Sequence, residues 1–183
     1  MRKTAVINQL MLYDELSKFD YSPSLYISGF RALNTQDYEY NTGDWHNIET
    51  WFHPQSQIKR YNIVGVGQEL DTTPYLSSRG VFESSELFGK MGIPKFAKTV
   101  YCATHARAIA DLVIAEAFFA EPYNGTKLFR KMQLADFDDF MCSPADKQRV
   151  YDLLEIAIPK LPEEQASHVS EWLRLAKEKN YDL

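Results

Sequence analysis

The sequence predicts an α+β fold in which a small N-terminal antiparallel sheet packs on a predominantly α-helical body. Strand-like alternation is confined to the chain before Leu70, whereas helical periodicity with good caps fills nearly everything from Gly80 onward. The 183 residues, 45% hydrophobic and 25% charged, suffice for one core and therefore one domain. Residues 1–79 are its mixed strand and helix part, and 80–183 its helical part.

Residues 3–19 place Val6, Leu10, Tyr13, Leu16 and Phe19 near helical spacing, which predicts a first amphipathic helix ending before Pro23. From Leu25 to Asn34 the residues alternate. Leu25, Ile27, Gly29, Arg31 and Leu33 share one face of a predicted strand, with Gly29 marking a bulge or close approach. Asn41-Thr42-Gly43-Asp44 is a turn, and Asp44 caps a short helix carrying Trp45, Ile48, Trp51 and Phe52 that stops at Pro54. Residues 58–67 read as a second strand. Val81 to Met91 is expected to be a short helix closed by Gly92 and Pro94, and Lys95 to Ala120 a long central helix, apolar on much of its circumference. Lys98, His105, Arg107, Asp111 and Glu116 keep that helix from reading as a membrane span. Ser143-Pro144-Ala145-Asp146 carries a capping serine, proline at the first helical position and an acid three residues on, so it starts a helix running to about Ile158. Glu163 to Lys179 closes the chain as a helix with acids at its start, lysines at its end, and Val169, Trp172, Leu173 and Ala176 inward.

Charge and cysteine usage narrow the classes of function. A net charge of -5 lacks the basic excess that phosphate-backbone binding requires, so nucleic acid is not an expected partner. Two isolated cysteines form no disulfide framework and point to a reduced, cytoplasmic protein. Neither a signal peptide nor a spanning helix is read, and no cofactor is expected. Gly65 and Gly67 open a dinucleotide fingerprint that Leu70 breaks, no Walker sequence occurs, and Ser28 lacks the nucleophile elbow of serine hydrolases.

The stretch from Leu25 to Pro54 departs most from an average chain. It holds two of the three tryptophans and two of the four histidines. His46, Glu49 and His53, at spacings of three and four, would share one helix face as an imidazole–carboxylate–imidazole metal set, although three polar residues on the wet side of a Trp-bearing helix is the simpler reading. Without metal, Arg31 could hold a phosphate or carboxylate while His46 or Glu49 moves a proton, with Asp44 close by. Arg31 could equally tie to Asp44 or Glu49 as a structural pair. Asp136, Asp138 and Asp139 lack a calcium-loop pattern and read as a solvated face. Cys102 reads as a buried structural residue.

Tyr26-Ile27-Ser28-Gly29-Phe30-Arg31-Ala32-Leu33-Asn34, together with Thr42-Gly43-Asp44-Trp45-His46, resembles a group of bacterial proteins encoded beside nucleotidyltransferase toxins of the abortive-infection, AbiE-like kind. The winged-helix N-terminus of the better-known AbiE antitoxins has no counterpart here. The resemblance implies an antitoxin-like companion that neutralises a protein partner within a toxin–antitoxin or phage-defence system. The acidic balance and the 11 tyrosines agree with a partner-binding role. Phe30, Arg31, Tyr38, Tyr40, Asp44, Trp45 and Trp51 are the residues expected to meet that partner. The competing expectation is a small hydrolase or nucleotide-handling enzyme that uses Arg31, His46 and Glu49.

Overall fold

The structure, a computed structural model, describes residues 16–36, 61–91, 97–119, 137–138, 140–141 and 143–179. Four three-residue strands form one sheet: β1 (Leu25–Ile27), β2 (Ile63–Gly65), β3 (Val81–Glu83) and β4 (Tyr101–Ala103), in the order β2-β1-β4-β3. The α+β class holds. The sheet is mixed rather than antiparallel, however. The outer pairs run antiparallel, with Tyr26 opposite Val64 and Phe82 opposite Cys102, while the central β1–β4 pair is parallel through Ile27 and Cys102.

Three sequence expectations are corrected here. The strand predicted to run from Leu25 to Asn34 ends at Ile27, and the chain turns at once into α1 (Gly29–Leu33). The turn is enforced at Gly29, whose φ of +56° suits glycine and whose missing Cβ would sit 2.7 Å from the Tyr61 carbonyl oxygen. The Ser28 N–H donates to the Asn62 carbonyl at 3.0 Å, pinning the turn to the start of β2. Second, the helix predicted over Val81 to Met91 opens with β3 and becomes helical only as α3 (Ser85–Lys90). Third, the long helix predicted from Lys95 starts late. Val100 N–H donates to Ser85 Oγ, residues 101–103 pair as β4, and α4 (His105–Phe119) begins behind Thr104. Thr104 Oγ1 accepts the Arg107 N–H at 3.2 Å, an N-cap bond. Two of the four strands therefore come from the part of the chain expected to be helical throughout.

The C-terminal half follows the sequence closely. Ser143 accepts the Asp146 N–H at 3.1 Å, Pro144 occupies the first turn, and α5 (Pro144–Ala157) runs into a 3-10 turn at Ile158–Lys160. The last helix, α6 (Glu163–Lys179), buries Val169, Trp172, Leu173 and Ala176, the expected stripe. α4 is the axis of the molecule. Every residue from His105 to Ala117 is buried, with α1, α5 and α6 packed around it. Phe137 meets the buried Trp172 edge to face at 5.2 Å between ring centroids, and burial of each such large side chain contributes about 2–3 kcal/mol. Asp138 takes Lys147 Nζ at 2.8 Å and Lys179 Nζ at 2.6 Å, joining this aromatic corner to both C-terminal helices. Among the described residues no helix is long and apolar enough to cross a membrane.

Candidate functional site

A helix buried on all sides has to dispose of its polar groups, and α4 carries Arg107 and Asp111 one turn apart. Both are sealed, at 0% and 1% side-chain exposure, with Arg107 Nε donating to Asp111 Oδ1 at 2.9 Å. Arg107 Nη2 donates to Tyr26 Oη at 2.6 Å and Thr72 Oγ1 at 2.9 Å, and Nη1 donates to the carbonyls of Ser77 (3.1 Å) and Arg79 (2.7 Å). All five guanidinium donors are thereby used. Asp111 accepts in turn from Tyr26 Oη (2.9 Å) and Ser28 Oγ (2.7 Å) on Oδ2, and from Thr72 Oγ1 (2.6 Å) on Oδ1. The guanidinium also lies 5.2 Å from the Tyr26 ring centroid.

The electrostatics follow from that geometry. Burial, reinforced by the Asp111 carboxylate, pushes the Tyr26 phenol well above its usual range, against the pull of Arg107. Burial works to lower the Arg107 guanidinium, but Asp111 and Tyr26 outweigh it and hold the charge more firmly than usual. Every hydroxyl in the cluster donates to the carboxylate and is committed there. The cluster ties β1, α2 (Thr73–Leu76), the Ser77–Gly80 turn and α4 into one frame. Inside such a frame the groups are positioned to hold structure, because no substrate reaches them and no proton is left to move.

The frame fixes the start of α1, and α1 carries the two described members of the predicted site. Phe30 is half-buried, its ring edge-on to Phe140 at 6.1 Å. Arg31 is half-buried beside it, on a helix rather than on the sheet face that the Leu–Ile alternation implied. The difference arises because Ser28 and Gly29 reverse the chain before the alternation reaches Arg31. Arg31 lies close enough to Tyr21 that its charge pulls the phenol down, although burial dominates and leaves that group raised. Tyr38, Tyr40, Asp44, Trp45, His46, Glu49, Trp51 and His53 lie outside the described residues, as does any tie from Arg31 to Asp44 or Glu49.

Other groups noted in the sequence take structural places. Cys102 is buried in β4, and His105 Nε2 lies 2.7 Å from the Thr35 carbonyl oxygen at the end of α1. Burial alone would raise the Asp138 carboxyl, but its hydrogen bonds from Lys147 and Lys179 hold it below the usual carboxylate range. An open groove along the first turns of α6 is lined by Glu163, Glu164, Ser167, His168 and Glu171, and Glu171 is paired with Arg174 at 2.8 Å. Among the described residues no group of three or more His, Cys, Asp and Glu side chains is arranged to hold a metal.

The sequence reading missed the Arg107 cluster as a unit. Its local signal was present, since an Arg and an Asp four apart on a helix made mostly of Ala, Ile, Leu, Val and Phe have to pair if the helix is central. Tyr26, Ser28 and Thr72 gave no such signal, because they lie 35 to 85 residues from Arg107 and Asp111 in the chain. Comparison of the chain with protein-family models, curated proteins and solved structures finds no match in any of the three.

Proposed function

We propose that this chain is a protein-binding companion of antitoxin type, which neutralises a partner toxin such as a nucleotidyltransferase by covering part of its surface through the α1 corner. The observation that carries the reading is the anchored pair Phe30 and Arg31. Both stand partly exposed on a five-residue helix whose base is bolted to Asn62 and, through Ser28 Oγ, to Asp111. Aromatic and arginine side chains dominate the energetics of protein interfaces, and a rigid base spares the ordering entropy that a mobile loop would lose on docking. The formal charge of -5 favours encounter with a basic partner surface.

The direct trial is co-expression with the product of the adjacent gene in a growth assay. Rescue of growth by the wild-type chain, and its loss in Phe30→Ala and Arg31→Glu with the melting temperature held within a few degrees, is the expected result. Failure of the wild-type chain to rescue growth or to form a complex would remove the basis of the proposal.

A further inference from the structure

The turn Ser77–Gly80 is held from inside in a conformation it would not choose alone. Ser77 has φ +54°, the one positive value on a non-glycine residue among those described, and Gly80 has φ +69°. A backbone angle of that kind is strained for a residue with a side chain and persists only where its surroundings impose it. Here the surroundings are Arg107, whose Nη1 grips the carbonyls of Ser77 and Arg79 together. Gly80 lies against the same side chain, so closely that a Cβ would meet Arg107 Cβ at 2.8 Å.

The grip dictates what the turn shows to solvent. Both peptides are trans, so in each the N–H points opposite to the C=O. With the carbonyls of Ser77 and Arg79 turned inward to the guanidinium, the N–H groups of Ser78 and Gly80 are turned outward. Neither has an acceptor among the described residues. Between them stands Arg79, exposed and without an ion pair among the described residues, with one long bond of 3.5 Å from its Nη1 to the Leu76 carbonyl, and the exposed Ser77 and Ser78 precede it. Behind the turn, the charges of Arg107 and Asp111 cancel.

We infer that the Ser77–Gly80 turn is a binding site for a phosphate group, received by the Ser78 and Gly80 amides, the hydroxyl of Ser78 and the guanidinium of Arg79. Outward main-chain N–H groups beside an arginine are a recurrent way of holding tetrahedral oxyanions, and the buried arginine pre-organises them by occupying the carbonyls. The inference is independent of the protein partner proposed above. The ligand is either free phosphate or a phosphate monoester carried on another molecule, and the two share the chemistry the turn reads.

The test is titration of the ¹⁵N-labelled full chain with sodium phosphate, with chloride adjusted to constant ionic strength. Parallel arms use a short phosphoserine peptide and sodium acetate. Saturable shifts centred on the Ser78 and Gly80 amides are expected with phosphate or the phosphopeptide, and the tighter of the two identifies the source. Arg79→Ala, at an exposed position, should leave the remaining spectrum intact and weaken binding about tenfold, with partial recovery in Arg79→Lys. Absence of saturable shifts in both phosphate arms, equal affinity for acetate, or binding unchanged in Arg79→Ala would each overturn the assignment.

Discussion

Replacing Asp111 by Asn keeps the shape of the side chain and removes the one charge that compensates Arg107. In the wild-type chain the carboxylate accepts four hydrogen bonds, from Arg107, Tyr26, Ser28 and Thr72, at 2.6 to 2.9 Å and 1% exposure. An amide in its place keeps one oxygen as acceptor and turns a donor toward groups that are themselves donors. The guanidinium stays buried at 0% exposure without a counter-charge. Breaking a buried pair from one side costs about 3–5 kcal/mol. Since a whole domain is stable by only about 5–15 kcal/mol, this is a large fraction of the total. Urea unfolding should show a midpoint lowered by that energy divided by the denaturant slope, with the slope itself preserved. The reverse replacement, Arg107→Met, should be comparably severe, because it strands the Ser77 and Arg79 carbonyls as well as the carboxylate. The double variant should not return to wild type, since the amide leaves one side-chain oxygen for three buried hydroxyls and the Ser77 and Arg79 carbonyls stay without their donor, at about 1–3 kcal/mol for each buried group left unpaired. A loss below about 1 kcal/mol for Asp111→Asn would refute the reasoning, for it would mean that water reaches the cluster and the frame is not sealed.

Three further outcomes follow from single contacts. Ser143→Ala removes the cap of α5 and should lower stability by about 1 kcal/mol in the same unfolding assay. Asp138, held below its usual range when folded, contributes stability that is present above the unfolded carboxylate value and is lost as pH falls through the lower folded value; Asp138→Asn should abolish that acid-side component, worth at most about 1 kcal/mol for a partly exposed pair, in stability measured across the acid range. Gly29→Ala sets a Cβ 2.7 Å from the Tyr61 carbonyl oxygen at a positive φ, and should cost about 1–3 kcal/mol by thermal unfolding while moving α1 away from its base.

What was legible in the sequence was what is decided locally. The cap at Ser143, the proline behind it and the 3.6-residue stripe of α6 act within a few residues of themselves, so pattern and structure agree there. The strands at Val81–Glu83 and Tyr101–Ala103 were read as helix because three residues are too few to display a period, and only pairing with each other and with Ile27 makes them strands. Arg31 was placed on a sheet face because the alternation from Leu25 looks continuous. Its interruption at Gly29 depends on a carbonyl at Tyr61, which nothing near Gly29 announces. Of the residues expected at a site, only Phe30 and Arg31 fall among those described. They are half-buried neighbours on α1, whereas the polar centre of the molecule, Arg107 with Asp111, was visible as a spacing and not as a network.

The most direct measurement is the affinity of the purified chain for the product of its neighbouring gene, taken for wild type, Phe30→Ala and Arg31→Glu with an unfolding curve for each. If the α1 corner is the docking edge, a stable complex forms with the wild-type chain. Each substitution then weakens it by at least about tenfold, a loss of roughly 1.4 kcal/mol, with the unfolding midpoint little changed. A complex that tolerates both substitutions, or no complex at all, contradicts the proposal.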